Sequence, residues 1–125
     1  MGGVLFIGAA FFIGMKMLPK QSLQETADIS HPLSGEQVIR MTEDGFVPDV
    51  IIITKGTKIR FLNADTLAHW PASDLHPSHT LYPEFDPHMP IESGKEWDFT
   101  FEKIGKWNMH DHLAPYITGT VQVVE

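Results

Sequence analysis

The sequence predicts an all-β protein, a sandwich of two sheets preceded by a hydrophobic N-terminal helix. Three observations carry this. Short runs of alternating or β-branched apolar residues recur from residue 36 onward, separated by glycine-containing turns. No amphipathic helical period appears over the same stretch. Six or more short strands need two facing sheets to bury their apolar sides.

The elements follow in order. Gln37 to Thr42 forms a first strand, with Ile39 and Met41 on one face. Asp44-Gly45 marks a turn. Val50 to Thr54 is apolar and β-branched, and a Lys55-Gly56 turn leads into Thr57 to Asn63. There Ile59 and Phe61 alternate with Lys58, Arg60 and Leu62. Glu96 to Phe101 sets Trp97, Phe99 and Phe101 against Glu96, Asp98 and Thr100, the cleanest half-buried strand pattern. Gly105 turns into a strand over Trp107 to His112, and Gly119 to Val124 closes the domain. Trp97 and Trp107 are assigned to the core, and Met41, Met89 and Met109 to packing.

The chain divides into residues 1–18, 19–35 and 36–125. Gly3 to Leu18 is apolar apart from Lys16. A helix over 1–18 would span roughly 27 Å, enough for a bilayer core. There is no basic start and no small-x-small site before Pro19, which favours a membrane anchor over a cleaved signal peptide. Lys16 and Lys20 on the C-terminal flank oppose that orientation; a basic segment upstream of the given start would remove the conflict. A buried helix is the alternative, but nothing in the remaining sequence offers it a partner. Residues 19–35 are polar and read as a tether. The anchor reading places 36–125 outside the cytoplasm, in the periplasm or at the cell surface.

A net charge of −7 argues against nucleic acid and anionic lipid head groups as partners. The absence of cysteine removes disulfides and thiolate ligands. Seven histidines in 125 residues make their distribution informative. Residues 65–92 hold His69, His76, His79 and His88 with Glu84 and Asp86. So long a loop is functional or disordered, and its Trp70, Tyr82, Phe85 and prolines point to an ordered, packed one. His110-Asp111-His112 sits where a strand ends. In a regular strand His110 and His112 point to one side and Asp111 to the other. Unless the strand is irregular, a site there uses Asp111 without both histidines, or both histidines without Asp111. His76 and His79, three residues apart, suit two ligands from one turn. Glu84 and Asp86 are solvated, or supply oxygen ligands or acceptors for imidazole N–H groups. His31 and His88 are read as lying outside the site.

Phe46-x-Pro48-x-x-Ile51-x-Ile53-x-x-Gly56-x-x-Ile59-x-Phe61-x-Asn63 resembles the opening strands of the cupredoxin-like family. Asn63-x-Asp65 followed by His69 resembles the segment bearing that family's first histidine ligand. Gly105-x-Trp107 through Thr118-Gly119-Thr120-Val121 resembles its ligand loop and last strand. The resemblance covers residues 36–125 and implies a Greek-key sandwich that binds copper. It extends to exported single-domain members and to cupredoxin-like modules of iron-uptake lipoproteins, some of which lack cysteine. The departures are large: Asp111 stands at the usual cysteine position, Ala114 at a usual histidine and Ile117 at the axial methionine. A blue-copper centre, which needs the thiolate, is therefore not expected. His110-Asp111-His112 also resembles the His-Cys-His segment of multicopper oxidases, but the chain is too short for their several domains.

The candidate ligands are His69, His76, His79, His110, Asp111 and His112. Imidazole with carboxylate suits copper, with Cu(II) favoured and zinc as the second choice. The expected function is a membrane-tethered, exported copper protein acting in electron transfer with a redox protein partner, or in copper handling. The alternative is a metal-free sandwich that binds a partner through the 65–92 loop. An enzyme is not expected: no nucleophile motif, phosphate loop or paired-carboxylate signature supports one, although metal-dependent oxidase or hydrolase chemistry would suit paired histidines.

Overall fold

The structure, a computed structural model, describes residues 31–125. The predicted N-terminal helix, and with it the anchor and most of the tether, lies outside these residues. The described part is all-β: β1 (Gln37–Thr42), β2 (Gly45–Val47), β3 (Val50–Thr54), β4 (Thr57–Asn63), β5 (Pro71–Ser73), β6 (Glu96–Phe101), β7 (Gly105–Asp111) and β8 (Ala114–Val124). Among the described residues no helix is long and apolar enough to cross a membrane.

The strands form two four-stranded sheets, ordered β2-β1-β4-β6 and β3-β8-β7-β5. Both are mixed, because β1 runs parallel to β4 and β3 parallel to β8 while the other pairs are antiparallel. Leu33, within the predicted tether, forms a parallel bridge to Ile53 and so lies along the edge of β3.

Alternation explains which side chains face inward. On β4, Ile59 and Phe61 are fully buried and pair across to Phe99 and Trp97 of β6. The opposite side of β4 carries Arg60, which donates to Asp98 at 3.0 Å and also approaches Glu36 and Glu96. The Asp98 hydrogen bond and charge raise the Arg60 pKa, and Arg60 in turn lowers that of Asp98. Such exposed pairs add little stability; they keep this face of the sheet wet. Trp97 and Trp107 are partly buried against the core rather than inside it. Met41 and Met109 are buried, whereas Met89 is 63% exposed, contrary to expectation.

The 65–92 segment is ordered and closes the open side of the sandwich between β5 and β6. Its Phe85 is fully buried against Phe61, Trp97, Phe99 and Phe101 at centroid distances of 4.9–6.1 Å. Tyr82 wedges between Phe101 and Trp107. The same segment contains β5, a strand too short and too proline-marked to show a period. β8 begins earlier than expected: Asp111 pairs with Ala114 and His110 with Thr118, so residues 115–117 bulge out and leave Tyr116 exposed. Gly119 faces Met109 across this pair, and a β-carbon there would lie 2.7 Å from the carbonyl oxygen of Asp49. Only glycine fits.

A buried ionic latch joins the start of β5 to the end of β7. Asp111 is fully buried; its Oδ1 accepts the backbone N–H groups of Trp70 and Leu113 at 2.9 and 3.0 Å. Its Oδ2 lies 2.5 Å from His69 Nδ1, and Asp65 Oδ2 lies 2.8 Å from His69 Nε2. Both ring nitrogens of His69 are thus in hydrogen-bonding contact with carboxylate oxygens, which fixes the ring between Asp65 and Asp111. The His69 hydrogen bond, reinforced by the Thr66 N–H, holds the Asp65 carboxyl below its usual pKa against partial burial.

Three outcomes follow from this packing. Phe85→Ala should cost about 3–5 kcal/mol in urea unfolding. Asp111→Ala should cost about 3–5 kcal/mol, because the Trp70 and Leu113 N–H groups and the buried His69 ring lose their shared acceptor. Since the folded pKa of Asp65 is depressed, its stabilisation is complete above about pH 5 and is lost as pH falls through that folded value. Urea midpoints measured from pH 7 down to 2 should therefore fall less steeply in Asp65→Asn than in the wild type.

Candidate metal centre

Strand β7 serves both faces of its sheet. Trp107 and Met109 pack on the core, and Asp111, of the same parity, enters the latch. His110 therefore points to the other face, and His112, one residue past the strand, turns the same way. The chain between β5 and β6 folds over that face with His76 and His79. The His79 N–H bonds to Leu75 O, and His79 takes a left-handed backbone conformation, φ 52°, uncommon for a residue other than glycine.

These four histidines converge. His76 Nδ1, His79 Nε2, His110 Nε2 and His112 Nδ1 all lie within 4.8 Å of one another. Neighbouring nitrogens are 3.2 Å apart for His76 and His110, 3.1 Å for His110 and His79, and 3.1 Å for His79 and His112. His79 and His110 are buried, His112 is half-buried and His76 is exposed, so the site is open on one side.

Carboxylates fix the buried rings. His79 Nδ1 donates to Asp86 Oδ2 at 2.6 Å, and His110 Nδ1 donates to Asp74 Oδ1 at 2.8 Å. Each proton placed there leaves a lone pair on Nε2. The two Nε2 atoms then face one another across 3.1 Å, a contact that a shared proton or a bound metal cation satisfies. Asp86 also accepts the Trp70 indole N–H and the His88 N–H, both at 2.8 Å. Trp70 in turn packs on His112 at a centroid distance of 4.5 Å. Burial pushes the Asp86 carboxyl up, but the bonds from His79, His88 and Trp70 outweigh it and hold the group below its usual pKa.

Four imidazole nitrogens at this spacing fit a first-row transition ion such as copper, which favours N ligands. The shape is informative as well. Ring centroids of His76 and His79, and of His110 and His112, are 6.4 Å apart; the four other pairs are 4.9–5.0 Å apart. The ratio is about 1.3, against about 1.0 for a tetrahedron and about 1.4 for a square, so the four ring centres outline a flattened tetrahedron.

The structure brings together four of the six candidate ligands and places His69 and Asp111 elsewhere, paired with each other in the latch. Ala114 and Ile117, at the positions of a histidine and a methionine in the resemblance, offer no donor atom. Asp86 is 7% exposed and bonded to a ring nitrogen of the cluster; Glu84 instead meets Lys103 at 3.2 Å. His88 lies outside the group, with its side chain 77% exposed. Asp74 was not singled out by its sequence context; its spacing of two residues from His76 is the signal that could have found it.

No protein-family model matches the chain, and no curated protein matches it. Solved structures do. A purple cupredoxin from Nitrosopumilus maritimus is 20% identical, with a TM-score of 0.62 over 70% of this chain and 99% of that one. A copper-containing nitrite reductase from Thermus scotoductus SA-01 is 25% identical, with a TM-score of 0.60; the match covers 76% of this chain but 23% of the enzyme. A reduced Cu(I) form of an amicyanin variant is 14% identical, with a TM-score of 0.62 over 76% of this chain and 88% of that one. The chain has the cupredoxin-like fold.

Proposed function

We propose that this protein binds one copper(II) ion through His76, His79, His110 and His112, and that its role is to hold and handle copper. The convergence of four imidazole nitrogens from two remote stretches of chain carries this reading. The solved neighbours include proteins described as containing copper, which supports copper over other ions. The flattened donor set suits Cu(II), which prefers tetragonal geometry, better than Zn(II), which is held tetrahedrally. His69 and Asp111 act as the latch beneath the site and do not touch the ion. The bound ion would supply Lewis acidity or a one-electron couple; the chain's own residues orient the rings, fix their protons and exclude water from the buried side.

A second reading, electron exchange with a redox protein partner, draws on the loop around the site, where Leu75, Leu81 and Met89 are 53–63% exposed. The metal-free interaction module rests on the same residues. We also infer that the domain works outside the cytoplasm, tethered by residues 1–18, on the strength of their apolar sequence. Membrane fractionation with protease added to intact cells tests the tether: the domain should sediment with membranes and be cleaved from outside.

Copper binding has a direct test. The full chain titrated with Cu(II) should bind one equivalent and give a paramagnetic resonance signal with nitrogen splitting. His110→Ala or His112→Ala should abolish that signal. His69→Ala should keep it while lowering the melting temperature. With free copper at 100 times Kd, the wild type should gain about 2.7 kcal/mol of stability, and a chelator should reverse the gain. A wild-type chain that takes up no copper would refute the reading and favour the interaction module.

A further inference from the structure

We propose that Asp74 and Asp86 are positioning residues that commit the four-histidine site to Cu(II) over Cu(I); this rests on the copper reading above. Each carboxylate accepts a hydrogen bond from the Nδ1–H of a buried histidine, His110 and His79 respectively. That proton placement directs both Nε2 lone pairs into the site and raises their basicity. The two histidines the carboxylates do not touch, His76 and His112, present Nδ1 instead. The wide pairs of the flattened set are His76 with His79 and His110 with His112. Each wide pair thus contains one carboxylate-backed ring.

Charge acts in the same direction as shape. Four neutral imidazoles leave a cupric ion with two positive charges, and the two carboxylates balance both. A cuprous ion would leave one negative charge in excess at a partly buried site, where unbalanced charge is costly. The flattened arrangement also opposes the tetrahedral preference of Cu(I), and all four donors are nitrogen, whereas Cu(I) favours sulfur. Asp86 reaches further than its own histidine: through the Trp70 indole it also steadies the ring packed on His112.

The two carboxylates differ in what their amides would do, and this makes the test specific. Asp74 meets His110 through one oxygen, so Asp74→Asn can keep an acceptor there and remove only charge. Asp86 uses one oxygen for two backbone and indole donors and the other for His79. Asp86→Asn must turn its NH2 toward one of these donors, so it either forces the wrong His79 tautomer or loosens Trp70.

The experiment is a potentiometric titration of the copper-loaded full chain, monitored by paramagnetic resonance, with Cu(II) affinity measured by competition against a chelator. Asp74→Asn should keep one nitrogen-coordinated Cu(II) and lose about tenfold in preference for Cu(II) over Cu(I), a rise of about 59 mV. Asp86→Asn should lose about 10–100-fold in Cu(II) affinity. Wild-type potential and affinity in both variants would overturn the proposal while leaving the copper reading intact. A wild type that binds no copper would overturn both. Should Asp86→Asn fail to fold, the potential of Asp74→Asn decides alone.

Discussion

The structure hangs on the buried carboxylate of Asp111. Both its oxygens are engaged, holding Trp70 N–H, Leu113 N–H and the His69 ring. A buried carboxylate so surrounded is stable only while its partners stay in place. It therefore fixes three things together: the entry into β5, the end of β7 and the turn into β8. His110 and His112 flank it in sequence, so pinning Asp111 on the inner side aims both rings at the outer face. The latch thereby sets the direction of two of the four clustered histidines.

The end of β7 thus carries the Asp111 latch on its inner side and a histidine cluster on its outer side. On the inner side, the positions that the sequence resemblance assigns to ligands hold His69, Asp111, Ala114 and Ile117. Two of these carry no donor atom, and the other two satisfy each other. On the outer side, the β5–β6 loop supplies what the inner side lacks. Its aromatic residues, Tyr82 and Phe85, anchor it in the core, and that anchoring lets an exposed stretch present His76 and His79 in a fixed geometry. Packing energy spent at Phe85 is what keeps the loop's histidines in register with β7.

Much of this was legible in the sequence, and the parts that were not share a cause. β1, β3, β4 and β6 match their expected bounds because each shows a clear alternating or β-branched run. β2 and β5 were missed because three residues cannot display a period, and Pro71 reads as a break. Strand parity at His110, Asp111 and His112 correctly separated the aspartate from its neighbours, but parity cannot say which side holds an ion. That depends on what the long loop brings across, a tertiary fact. The resemblance pointed to His69 because motifs record positions and not partners. The spacing of Asp65 four residues before His69 was the available hint that this ring is already engaged. Asp74, two residues before His76, gave only a faint signal, because an aspartate beside a loop histidine is ordinary until the fold carries it to a different histidine, His110, 36 residues away.

The loss of cysteine takes on meaning in this light. A thiolate at position 111 would sit on the inner side, beside His69, where a soft donor stabilises Cu(I) as well as Cu(II) and permits rapid exchange between them. Aspartate there meets three hydrogen-bonding partners and serves the inner side as framework. On the copper reading proposed above, the outer side would offer nitrogen donors alone, backed by two carboxylates, features that would oppose reduction. A site built this way is poorly suited to shuttling electrons at the potentials of thiolate copper and well suited to keeping copper oxidised and in place. On the same reading, His76, the exposed member of the set, would be the ring an arriving ion meets first. Departure would begin with that ring, since no buried carboxylate bond has to break to release it.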